Sequence, residues 1–150
     1  MVISFLGHRS LLTHGNLFEK VEKAILENVD FENKVSFLCG GYGDFDELCA
    51  QVCRAVKKKR KNCEVIFATP YMSVAQQEKI KEWIHLGLYD SVVYPPLEQV
   101  PLKFAISKRN EWMISQSDFV IAYVEHFFGG AYQGLHYARQ KGKRIVNLAE

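Results

Sequence analysis

The stretch CGGYGDFDELCAQ, residues 39 to 51, sets Gly40, Gly41 and Gly43 directly before Asp44, Asp46 and Glu47. Glycines after an apolar run let bare backbone approach a ligand, and amides at a helix start favour an anion. The carboxylates admit two readings. Asp44 and Glu47, three apart, match a capping box that also complements the helix dipole. Alternatively, Asp46 or Glu47 reaches a sugar hydroxyl or supplies acid/base chemistry beside a bound phosphate. A dinucleotide fingerprint does not fit, because Asp46 stands where the third glycine of G-x-G-x-x-G belongs.

Three further loops carry residues of the same kind: Gly7-His8-Arg9, Pro70-Tyr71, and EHFFGGAYQG with Phe128, Gly129 and Gly130. Arg109 is conspicuous because it falls on the apolar stripe of its helix with Leu102, Ala105, Ile106 and Met113. A charge there must snorkel, pair with a carboxylate such as Asp118, or point into a cleft, where a guanidinium fork suits phosphate or carboxylate. His8 is either a polar loop residue or a ligand contact, and His136 sits beside Leu135 as a packed residue. Phe127 and Phe128 either stack on a base or anchor their loop. No Ser or Cys stands in a nucleophile-elbow setting, which argues against acyl transfer.

The elements that position these residues alternate. Strand-like runs are VISFL (2–6), KVSFLC (34–39), CEVIFAT (63–69), SVVY (91–94), DFVIAYV (118–124) and KRIVNL (143–148). Helical patterns occupy 16–28, 45–60, 74–86, 103–116 and 131–141, the second with Phe45, Leu48, Cys49, Val52 and Val56 on one stripe. Strand, helix, strand throughout implies an α/β domain: a mostly parallel sheet of about six strands with helices on both faces. In such sheets ligands bind at the carboxyl ends of the strands, where all four loops lie.

Length and composition bound the rest. A chain of 150 residues reads as a single domain, 1–150, able to bury a real core. A formal net charge of +2 with 24% charged residues gives no strong pull toward nucleic acid or anionic membrane. Six cations between Arg54 and Lys61 suit a solvated helix C-terminus, on the edge opposite the site. The apolar runs are too short for a signal or membrane segment. Cys39, Cys49, Cys53 and Cys63 lack metal-ligand spacing and read as reduced thiols in a cytoplasmic protein, with no metal and no cofactor expected.

Taken in order, FLGHR, CGGYGDFDELCA, TPY, SKRNEWMISQSDFVIAYV and the later GG…YA…GK.I resemble the SLOG superfamily, specifically its short YpsA-like branch. The resemblance implies a Rossmann-like fold and a pocket for a nucleotide or nucleotide-derived ligand, acting as a sensor or sequestering module in bacterial or phage signalling. It is also similar, more distantly, to LOG-type phosphoribohydrolases, which cleave the N-glycosidic bond of nucleoside monophosphates. That likeness would set the family's functional arginine at Arg109 and its P-G-G-x-G-T-x-x-E motif over the residues from Phe128. Tyr132 and Gln133 replace its G-T pair, and His136 stands at its catalytic glutamate.

The expectation is therefore a binder of a nucleotide-like small molecule, with no nucleic acid or membrane partner and a homodimer left open. Gly40, Gly41, Gly129 and Gly130 would close on phosphate, Arg9 and Arg109 would supply charge, and Asp46 or Glu47 would contact ribose. Tyr71 or Phe128 would stack on the base, with Gly7, His8, Asp44, Pro70 and Asn110 completing the site. The alternative is an N-glycoside hydrolase with Glu47 and Arg109 as its catalytic candidates.

Overall fold

The computed structural model describes residues 1–11 and 15–150. Six strands, β1 (Val2–Gly7), β2 (Val35–Cys39), β3 (Cys63–Ala68), β4 (Ser91–Val93), β5 (Phe119–Tyr123) and β6 (Arg144–Asn147), form one sheet. Its order is β4-β3-β2-β1-β5-β6, and every pairing is parallel. Among the described residues five helices connect them: α1 (Leu17–Asn28), α2 (Asp44–Lys59), α3 (Val74–His85), α4 (Ala105–Gln116) and α5 (Gly129–Gln140).

Strand periodicity divides the core between the two faces. Ile3, Phe5, Phe37, Val65, Phe119 and Ile121 point to one face, where Val21 and Ile25 of α1 and Phe45, Val52 and Val56 of α2 cover them. Leu6, Val120 and Ala122 point to the other, against Ile114 of α4 and Leu135 and Ala138 of α5. Met113 of α4 extends that second layer over Leu38 and Ala68. Beside the sheet edge, Trp83 of α3 meets Phe67 edge-on, with centroids 5.4 Å apart, and Tyr89 joins them.

Three local expectations need correction. The helix expected over 103–116 is a short 3-10 turn, Leu102–Phe104, followed by α4. The helix expected from 131 begins at Gly129, whose φ of +89° turns the chain from extended Phe128 straight into α5. The capping box does not form. Gly43 is the cap residue of α2 and Glu47 is exposed, while Asp44 Oδ2 accepts the Leu11 amide at 2.9 Å.

The basic run ends α2, where Lys59 Nζ pairs with Glu22 at 3.0 Å and Lys57 pairs with Asp90. Cys39, Cys49 and Cys53 are buried in the core and unpaired, and Cys63 is half-buried. Among the described residues, no helix is long and apolar enough to cross a membrane.

Candidate functional site

From β1 the chain continues on one side to β2, β3 and β4, then returns to β5 on the other. The order therefore switches between β1 and β5, and a crevice opens beyond their carboxyl ends. A cleft of about 410 Å³ occupies this edge. It is lined by the loop after β1, the β2–α2 turn, Tyr71, one face of α4 and the start of α5.

Arg109 anchors it. Its side chain is 1% exposed, held by Nη1 donating to the carbonyls of Gly40 and Ala68, each at 2.7 Å, and by Nε donating to Asn110 Oδ1 at 3.0 Å. Tyr42 covers the guanidinium, with its ring centroid 5.6 Å away. The snorkelling and Asp118 alternatives are both excluded, since Asp118 instead accepts the Val2 amide at 2.8 Å. Nη2 has no hydrogen-bond partner among the described residues, while Arg109 lines the cleft. A buried cation with one unused nitrogen at a cleft floor is equipped to receive an anion.

Asp46 stands beside it. Its Oδ2 accepts the Tyr42 amide at 3.1 Å, and part of its surface stays open to the cleft. Burial pushes its carboxyl up to about 6, against the downward pull of Arg109, the Tyr42 amide and Arg9. Tyr42 is fixed from behind by Gln76, whose Nε2 lies 3.2 Å from both the Tyr42 hydroxyl and Thr69 Oγ1. Tyr71 meets Tyr42 edge-on at 6.1 Å.

On the opposite wall, His8 Nε2 accepts the Glu125 amide at 2.9 Å, and its ring lies 4.6 Å from that of His126. Burial lowers the His8 pKa, His126 lowers it further and Glu125 partly opposes them. His126 in turn stacks on Phe128 at 5.2 Å.

The cleft brings together Gly7, His8, Arg9, Asp46, Tyr71, Arg109, Asn110 and Gly130. It leaves out Gly40, Gly41, Asp44, Glu47, Pro70, Phe128 and Gly129. Glu47 lines a separate depression with Asp44, Arg54 and Trp83, so the hydrolase alternative loses its carboxylate. Pro70 is buried, and Gly40 contributes its carbonyl to Arg109 rather than an amide to a ligand. Gly41 has φ +73°, and a Cβ there would lie 2.6 Å from the Phe67 ring, so packing accounts for this glycine.

Sequence reasoning gave no role to Tyr42, Lys103, Ser107 or Gly134, all of which line the cleft. Gly134 was the one with a readable signal, since glycine inside a helix costs about 1 kcal/mol against alanine and calls for a packing reason. A Cβ there would sit 2.7 Å from Leu6 Cδ1, so its absence lets α5 close onto β1. Among the described residues, no group of three His, Cys, Asp or Glu side chains is placed to hold a metal ion.

The molecule is thus an open, all-parallel Rossmann-like domain with an arginine-floored cleft at its switch point. No family model matches the chain. It is 28% identical over 141 residues to the uncharacterized SPbeta prophage-derived protein YoqJ of Bacillus subtilis strain 168, across 83% of this chain and 81% of that one.

Its fold is shared with DNA processing protein A from Helicobacter pylori (TM-score 0.64, 16% identity), covering 100% of this chain and 67% of that one. It is shared also with DNA processing protein A from Streptococcus pneumoniae (TM-score 0.52, 17% identity), covering 98% of this chain and 58% of that one. The Helicobacter structure is described by its single-stranded DNA binding mode. These neighbours overturn the expectation of a nucleotide sensor without a nucleic-acid partner. The nucleotide ligand rested on the glycine loops and the SLOG resemblance, and the absence of a nucleic-acid partner on a near-neutral net charge, which averages over the whole chain and is blind to cations collected at one sheet edge.

Proposed function

We propose that the chain binds single-stranded DNA across the carboxyl edge of its sheet. Arg9, Lys103 and the first amides of α5 meet the phosphodiester backbone, with Arg109 at the floor. Phe127, Phe128 and Phe104 offer rings to unpaired bases. The observation that carries this reading is aromatic surface left open on loops that continue from the cleft walls. Phe127 is 86% exposed, Phe128 73% and Phe104 48%. A small-molecule pocket encloses its aromatics, whereas a strand-binding surface presents them beside cations.

Lys103 and exposed Arg9 line the cleft, and Gly130 follows directly on the exposed rings. The fold shared with DNA processing protein A over the full chain supports the same reading. The ordered motifs from FLGHR to GK.I support a place within the SLOG superfamily near its YpsA-like branch.

The test is fluorescence anisotropy with a labelled oligothymidylate. Affinity should fall with salt, with a slope of about −0.7 for each phosphate contacted. Phe127→Ser with Phe128→Ser should weaken binding by about 1–3 kcal/mol for each stacked base while circular dichroism stays unchanged. Wild-type affinity in that double variant would refute the stacking surface.

A further inference from the structure

Resting on the strand-binding reading, the β2–α2 turn carries one step more. We propose that Asp46 is an anion gate: its ionised carboxylate opposes entry of a phosphodiester toward Arg109, and its protonation admits the strand, so that binding takes up a proton.

The geometry is specific. A Cβ built on Gly40 would lie 2.8 Å from Asp46 Oδ2 and 3.2 Å from Arg109 Nη2, so carboxylate and guanidinium crowd the same spot above a bare backbone. Among the described residues, no salt bridge joins the two, although Nη2 has no other acceptor. Among the described residues Asp46 makes one hydrogen bond, from the Tyr42 amide, and it keeps surface on the cleft. A phosphate reaching Nη2 therefore meets a carboxylate at close range, in a setting screened less than open solvent.

Protonation removes that charge and converts Asp46 into a donor toward a phosphate oxygen. The proton comes from solvent and returns to it on release. A bound anion opposes ionisation of a neighbouring acid, so uptake and binding are linked.

The charged and titratable groups around Asp46 are few. Arg109 of α4 and Arg9 of the β1 loop are cations, and both lower its pKa. Tyr42, Cys49 and Tyr89 are held neutral, each shifted upward by burial as the leading cause. Asp46 itself, pushed up to about 6 by burial, changes charge near neutrality. Across the cleft, His8 also gains charge in acid. Its contribution is common to wild type and an Asp46 variant, and it cancels in their ratio.

The experiment measures anisotropy of a labelled twelve-nucleotide oligothymidylate at constant ionic strength from pH 5 to pH 8, for wild type and Asp46→Asn. The variant should bind roughly tenfold tighter at pH 8, as loss of one nearby negative charge allows, and equally at pH 5. In wild type, the Asp46 carboxyl carbon followed by NMR should titrate at higher pH with the strand bound than without it. A ratio that does not change with pH, or weaker binding by the variant at pH 8, overturns the gate and leaves strand binding intact. If neither protein binds the strand at any pH, both readings fall.

Discussion

Two glycine turns flank the cleft, and they are occupied differently. In the β2–α2 turn every glycine is filled by the protein. A Cβ at Gly40 would meet Asp46 and Arg109, at Gly41 the Phe67 ring and at Gly43 the Arg9 backbone, 2.7 Å from its Cα. In the β5–α5 turn a Cβ at Gly129 or Gly130 would meet nothing within 4 Å among the described residues. The sequence motifs look alike, and both suggest a loop closing on phosphate. Only the second leaves space at the glycines themselves. The first is a packed cradle whose glycines let Asp46, Arg109 and Arg9 come close to one another.

Placing a side chain in each turn would break the comparison most directly. Gly43 has φ +100° and a backbone atom where its Cβ would go. Gly43→Val should therefore destabilise the fold by about 2–4 kcal/mol through combined strain and overlap, read as a lower urea midpoint. Near-wild-type stability would mean that this turn is as open as the other.

The Asp46 carboxylate tests the packed cradle from within. Its pKa rises from 3.8 to about 6 on folding, so the folded chain binds that proton more tightly than the unfolded one. The stability this confers is full below the ordinary value and is lost as pH rises through about 6. Asp46→Asn removes the loss, so it should gain about 1–3 kcal/mol over wild type at pH 7 and nothing at pH 3. Urea melts at the two pH values measure this, and equal stability at pH 7 would show that Arg109 fully compensates the carboxylate.

The smallest stability effect is expected at the open turn. Gly130→Ala meets no atom of the described residues and needs no positive φ, so its stability should be unchanged or raised by about 0.4–1 kcal/mol. Its affinity for oligothymidylate should nonetheless fall several-fold if a phosphate approaches that amide. Unchanged affinity would make the open turn a bystander.

Near-neighbour physics made much of the architecture legible. Alternating β-branched and aromatic runs identified six strands, and the stripe from Phe45 to Val56 identified the second helix. Their succession implied a parallel sheet with its site at the carboxyl edge. The anomaly of Arg109 was also visible, because a charge on an apolar stripe breaks a period of 3.6. Each of these signals is carried by residues a few positions apart, so chain order alone determines them.

What the arginine touches was not legible. Its backbone acceptors, the carbonyls of Gly40 and Ala68, lie 69 and 41 residues away, and backbone carbonyls carry no residue identity. Nor could the sequence separate Asp46 from Glu47. Neighbours in a helix point about 100° apart, and the rotation of α2 against the sheet turns one into the cleft and the other toward Trp83. The two glycine turns differ for the same reason. Whether a bare Cα faces Phe67, Arg9 or open space depends on which distant side chains tertiary packing brings to it, and no local pattern encodes that.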